Sequence, residues 1–178
     1  MAVVGVPRFA GKIGLVITVP DAVVAAAFYE EAFNAREVAR YIVPRHPPNV
    51  GPVKGVTLKI GDAVIEIATA NPRTPANINK WGAETPEMLG GFSAIITLYV
   101  DDVDRILAQA VAAGARQAGP VQDVPSGDRA TAVEDPFGHV WALVAVNEEV
   151  SVAEHNRRWD ESVSPAQRGQ GPRLEISS

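Results

Sequence analysis

Residues 13–35 read IGLVITVPDAVVAAAFYEEAFNA, and residues 94–115 read AIITLYVDDVDRILAQAVAAGA. Both follow one plan: an alternating apolar segment, an acidic junction, an Ala-rich helix and a short turn. In the first copy Leu15, Ile17 and Val19 alternate with Gly14, Val16 and Thr18. A period of two sends one row into a packed layer and the other to the opposite face. Asp21 is placed to accept the first free amides of a helix over 22–33. Val24, Phe28 and Ala32 recur there at i, i+4 and i+8 as an apolar stripe, and Asn34 suits the left-handed turn that ends it. In the second copy Ile96, Leu98 and Val100 alternate with Ile95, Thr97 and Tyr99. Asp102 then precedes a helix striped by Val103, Ile106, Leu107, Ala110 and Val111, and Gly114 stops it.

Three strands are predicted after each helix, at about 37–43, 56–60 and 63–69 and again at about 116–121, 130–134 and 140–146. The segment 61–67, GDAVIEI, echoes 137–143, FGHVWAL. Each half therefore reads β-α-β-β-β. A four-stranded sheet with one helix on one face leaves its other face uncovered, and two such sheets close that exposure by sharing a concave surface. The expected fold is α+β: two βαβββ modules forming a curved, half-barrel mixed sheet around a cleft, plus a C-terminal helix. The expected division is an N-terminal arm (1–12), a first module (13–70), a linker or lid (71–91), a second module (92–147), a C-terminal helix (148–161) and a disordered tail (162–178). The linker has three prolines, three glycines and Trp81; longer than most connections, it is a functional lid or a mobile strap, and Trp81 favours the lid. Ser151, with Glu154 three places on, caps the last helix. The tail is polar and rich in Ser, Gly, Pro and Gln.

Composition narrows the function classes. The 178 residues carry 16 basic and 21 acidic side chains, a formal charge of −5, with no basic cluster of the kind phosphate backbones demand. Nucleic acid is not an expected partner. Neither is a membrane, since no apolar run is long enough to span one. Met1–Val6 lacks a charged leader and a cleavage pattern, so a cytoplasmic protein is expected. With no cysteine, thiolate chemistry, disulfides and cysteine-ligated metals are excluded.

Several motifs together resemble the vicinal oxygen chelate superfamily of glyoxalase I, bleomycin-resistance proteins and extradiol dioxygenases, and more narrowly its PhnB-like branch. They are Val19-Pro20-Asp21-Ala22 with Ala27-Phe28-Tyr29-Glu30-Glu31-Ala32-Phe33, then Leu98-Tyr99-Val100-Asp101-Asp102-Val103. The most specific is Asp135-Pro136-Phe137-Gly138-His139-Val140-Trp141-Ala142-Leu143, followed by Val152-Ala153-Glu154. The resemblance covers about residues 13–160. It implies homodimers, often with modules exchanged so that a cleft spans two chains. It also implies four metal-ligand positions, which fall here on Gly14, Glu66, Ile95 and Ala142. Glu66 alone carries a donor atom, and three side-chain ligands is the usual minimum for a catalytic metal. No metal and no cofactor are therefore expected.

The same alignment assigns faces. Leu15, Ile17, Val19, Ile96, Leu98 and Val100 go under the helices. Gly14, Val16, Thr18, Ile95, Thr97, Tyr99, Val64, Glu66, Ala68, Val140, Ala142 and Val144 line the cleft. A mostly apolar cleft with a single carboxylate suits a small, partly apolar organic ligand. Glu66 is the candidate general base, or the anchor for a cationic or hydroxylated ligand. Thr18, Tyr41, Trp81, Thr97 and Tyr99 are the further ligand-binding candidates, with Arg45 and His46 in a loop at the cleft mouth. His139 and Trp141 fall on the helix side as structural residues, Phe28 and Phe137 belong to the core, and Tyr29 is a packing or subunit-contact residue.

Three functions remain: a metal-independent binding protein of the sequestration or resistance type, a metal-independent isomerase or lyase using Glu66, and a divalent-metal lyase or dioxygenase. The first is favoured, because one carboxylate without an oxyanion stabiliser is little equipment for catalysis.

Overall fold

The structure is a computed structural model that describes residues 14–42, 53–70, 84–163 and 165. The expected lid residue Trp81, the loop residues Arg45 and His46, the N-terminal arm and most of the tail lie outside the described residues.

The first module runs β1 (Leu15–Val19), α1 (Ala22–Phe33), β2 (Arg36–Ile42), β3 (Val53–Ile60) and β4 (Ala63–Thr69). Its four-stranded sheet has the order β1-β4-β3-β2, with β1 parallel to β4 and the other pairs antiparallel. Asp21 caps α1 as expected, its Oδ1 accepting from the amides of Val23 and Val24. Asn34 ends it at φ 55°.

After α2 (Pro86–Leu89), a single turn capped by Thr85 inside the expected linker, the second module repeats the plan. It comprises β5 (Ile95–Tyr99), α3 (Val103–Ala112), β6 (Arg116–Gln117), β7 (Gln122–Asp123), β8 (Asp128–Glu134) and β9 (Val140–Val146). Its sheet has five strands, β5-β9-β8-β6, with β7 also on β8. The strand expected over 116–121 is formed only at 116–117, and the second piece, β7, follows it at 122–123. Pro120 lacks the amide a ladder needs, and Thr131 Oγ1 donates instead to the Gly119 carbonyl at 2.9 Å.

One continuous core joins the helix-covered faces of both sheets, from Ile17, Val19, Leu58 and Ile67 through α1 to Val133, Trp141 and Leu143. Helix α1 packs on its own sheet and on α3. This position explains a departure from the expected stripe. Val24 is exposed, whereas Ala22, Ala25, Ala26, Phe28, Tyr29, Ala32 and Phe33 are buried, because the helix covers two neighbours at once. Of the stripe on α3, Val103, Ile106 and Ala110 are buried and Val111 is exposed. Gln109 on α3 ties the two helices by donating to Asn34 Oδ1 at 3.1 Å. The C-terminal helix α4 (Val152–Ser162) begins at its expected Ser151 cap and runs to Ser162. No described helix is long and apolar enough to cross a membrane.

Candidate functional site

Strand register fixes which side chains share the face of the first sheet that no described helix covers. Val16 pairs with Glu66, Glu66 with Thr57, and Thr57 with Ala39, so one row crosses all four strands. The next row reads Thr18, Ala68, Gly55 and Tyr41. Val56, Leu58 and Ile60 point the other way, into the core under α1. A side chain at Gly55 would meet the Ile67 carbonyl at 3.0 Å, so the floor beside Tyr41 is kept flat. Glu66 is half-buried and forms no ion pair with a described residue; Lys59 pairs with Asp62 at 3.5 Å and Arg40 with Glu37 at 2.6 Å. Thr57 is only 1% exposed. Sequence reading missed Thr57, although its alternation with Val56 and Leu58 placed it on the Glu66 face.

On the second sheet Ile95, Thr97 and Tyr99 pair with Val140, Ala142 and Val144, and these pair in turn with Glu134, Ala132 and Ala130. The face is mostly small and apolar, with Thr97 and Tyr99 on it and Glu134 at one end, where it pairs with Arg116. Ile95 and Tyr99 stand 61% and 70% exposed, and Val16 across on the first sheet 51%.

The candidate residues fall into separate places within one chain. Thr18 lines a groove of about 190 Å³ with Val16, Leu89, Phe92, Ile96 and His139. Thr97 and Tyr99 line another of about 450 Å³ with Asn34, Asp62, Asp101 and Arg105. A third cavity, about 490 Å³, lies between α2 and the β8–β9 turn, lined by Pro86, Glu87, Phe92, Glu134 and Phe137 among others. Glu66 and Tyr41 line none of these three.

The β8–β9 turn gives the most specific sequence motif its physical role. Asp135 is buried and its carboxylate accepts four hydrogen bonds. Oδ1 takes the backbone amides of Phe137 and His139, both at 2.9 Å. Oδ2 takes the Tyr29 hydroxyl at 2.6 Å and Trp141 Nε1 at 3.0 Å. Burial first, and then the Asp135 charge, push the Tyr29 phenol well above its ordinary range. Gly138 turns the chain at φ 88°, where a Cβ would also come within 2.9 Å of Pro86. His139 Nε2 donates to the Thr18 carbonyl at 3.0 Å, and the rings of Phe28, Tyr29, Phe33, Phe137 and Trp141 pack against one another. This cluster locks the modules together: Tyr29 is a packing residue within its own chain, and His139 and Trp141 are structural.

The metal positions implied by the family resemblance do not fit an ion. Gly14, Ile95 and Ala142 have no donor atoms, and His139 is committed to Thr18. Among the described residues no three His, Asp or Glu side chains converge on a point that would hold a metal.

Residues 12–143 match the model of the Glyoxalase/Bleomycin resistance protein/Dioxygenase superfamily. The chain belongs to that superfamily. An uncharacterized protein of Mycobacterium bovis is 33% identical over 148 residues, covering 78% of this chain and 85% of that one. Among solved structures, TioX from Micromonospora sp. ML1 superposes with a TM-score of 0.55 at 24% identity, over 75% of this chain and 98% of TioX. The fosfomycin resistance protein FosX from Listeria monocytogenes, solved with Mn(II) and sulfate, gives 0.51 at 16% identity, over 85% and 99%. These likenesses share the fold.

Proposed function

We propose that the protein binds a small, partly apolar organic molecule without a metal, as a sequestration or resistance protein does. The observation that carries this reading is the donor set. Three of the four positions where a metalloenzyme of this superfamily would hold its ion carry no ligating atom, and the fourth, Glu66, stands among Val16, Ala39 and Ala68 with Thr18, Thr57 and Lys59 on the same face. In this proposal the chain pairs as a homodimer. The Glu66 face of one copy, with Thr18 and Tyr41, meets the Thr97 and Tyr99 face of the other, which gathers residues that a single chain keeps apart. The placement closest to the PhnB-like branch rests on the Asp135–Leu143 string with α4 after it, and a cytoplasmic location belongs to the same proposal.

A thermal-shift screen of aromatic metabolites, antibiotics and divalent metals on one sample tests this. Stabilisation by an organic compound in the presence of chelator is expected. Stabilisation by Mn, Fe, Ni or Zn ions that chelator reverses overturns it in favour of a metal-dependent lyase or dioxygenase. Because Glu66 has no ion pair among the described residues, proton transfer by Glu66 is the second reading. Turnover of a bound compound that falls ~10²–10⁴-fold in Glu66→Gln, with binding retained, decides for an isomerase or lyase.

A further inference from the structure

The strands β1 and β5 are the outer strands of their sheets, and both line the groove of about 190 Å³. Leu15, Val16, Ile17 and Ile96 form its strand walls, with Leu89 and Phe92 from α2 and the turn after it. Of the three cavities described, His139 lines this one alone. The Thr18 carbonyl can only accept, so Nε2 carries the proton of the bond between them, and Nδ1 of the neutral ring keeps a lone pair. Among the described side-chain polar atoms, those both without a hydrogen-bond partner and sealed from solvent are Thr57 Oγ1 and Trp159 Nε1. His139 Nδ1 also lacks a partner among the described residues, but it is open to solvent. The lining holds one charged side chain, the exposed Glu84, and no Lys or Arg. A free acceptor therefore stands in a mostly apolar groove.

We propose that this groove is a second binding site, for a single aromatic ring that bears a phenolic hydroxyl. It goes beyond the cleft reading, since it lies within one chain and uses neither Glu66 nor the dimer. The volume suits one ring, because an apolar cavity of about 150 Å³ takes benzene. The hydroxyl donates to His139 Nδ1, and the ring lies against Leu89, Phe92 and Ile96. The acceptor sets the ligand class. A neutral hydroxyl donor matches the lone pair, whereas an ether has no hydrogen to give. A carboxylate would face both the lone pair and the Glu84 charge.

Titration of the full chain, with its histidine rings labelled with nitrogen-15, tests the site with phenol, methoxybenzene and benzoate. Phenol is expected to move the His139 Nδ1 resonance upfield and to bind ~5-fold or more tighter than methoxybenzene, with benzoate weaker still. Ala94 is an exposed residue of the lining. Ala94→Trp puts a ring into the space and is expected to weaken phenol by ~10-fold, with circular dichroism unchanged. Methoxybenzene binding as tightly as phenol overturns the proposal, as does a Nδ1 resonance that phenol leaves in place. Unchanged phenol affinity in a folded Ala94→Trp overturns it too, and the ligand series decides alone if that variant does not fold. Tighter binding of benzoate also overturns it, by revealing a ring that donates to anions. Each of these results leaves the cleft reading standing, whereas metal stabilisation reversed by chelator removes the cleft reading and leaves this site.

Discussion

Asp135 holds two pieces of chain that are distant in sequence, because its four acceptor positions are filled by four donors from three elements. Tyr29 comes from α1, Trp141 from β9, and two amides from the turn between β8 and β9. Tyr29→Phe removes one charge-assisted bond and leaves the Trp141 donor in place, so chemical denaturation should show a loss of about 1.5–3 kcal/mol. Asp135→Asn should cost more. An amide nitrogen would have to face either Trp141 Nε1 or the two backbone amides, all of them donors only, and no orientation of the side chain avoids that. Equal stability of Asp135→Asn and wild type would mean the carboxylate is not the junction described here. Tyr29 also has an alkaline signature. Its raised pKa means the stabilisation is complete below the ordinary tyrosine value of 10.0 and is lost as pH climbs through the raised one. Ultraviolet phenolate absorbance from Tyr29 should therefore appear together with unfolding.

At the level of elements, α4 differs from α1 and α3. Those two bury apolar faces in the core, whereas α4 has no fully buried residue and carries a belt of ion pairs. Arg157 and Arg158 both donate to Glu154, and Arg158 also reaches Glu148. Hydrogen bonds from the two arginines hold the Glu154 carboxyl down to about 2. A depressed carboxylate pKa supplies stabilisation that is present above the ordinary glutamate value of 4.5 and is lost as pH falls towards about 2. Carboxyl-carbon NMR of Glu154 should show its midpoint in that acid range. Because the belt faces solvent, raising the salt concentration should move the midpoint back towards 4.5. A midpoint at the ordinary value in low salt would dissolve the belt.

For the whole molecule, the helix-covered faces of both sheets are spent on one shared core, and no described helix covers the opposite faces. Ile95, Tyr99 and Val16 are large apolar residues standing more than half exposed there. The proposed dimer gives them a partner. Light scattering after size exclusion should return twice the mass of the 18.9 kDa chain, and Ile95→Asp with Tyr99→Asp should shift the protein to monomer with its circular dichroism retained. A wild-type monomer at tens of micromolar would remove the dimer from the proposal.

Strand parity, helix caps and the internal repeat made the modules legible before any coordinates. Alternation in 15–19 and 95–99 is enforced by pleat geometry, Asp21, Asp102 and Ser151 accept from amides a few residues on, and Asn34 takes a left-handed turn with its amide on the Tyr29 carbonyl, so nothing distant is needed to place them. The split at Pro120 was missed because it depends on what β8 offers opposite, and Val24 was misplaced because α1 meets a second module as well as its own sheet. The candidate site divides in the same manner. Glu66 was reached through the family resemblance, one of whose metal-ligand positions falls on it, and the same alignment gave its face. The unsatisfied hydroxyl of Thr57, the four donors converging on Asp135, and the separation of Thr18 from Tyr99 within one chain are products of three-dimensional register and packing. Local chemistry is written residue by residue along the chain, but whether a polar group finds a partner depends on which distant segments arrive beside it, and only the folded arrangement decides that.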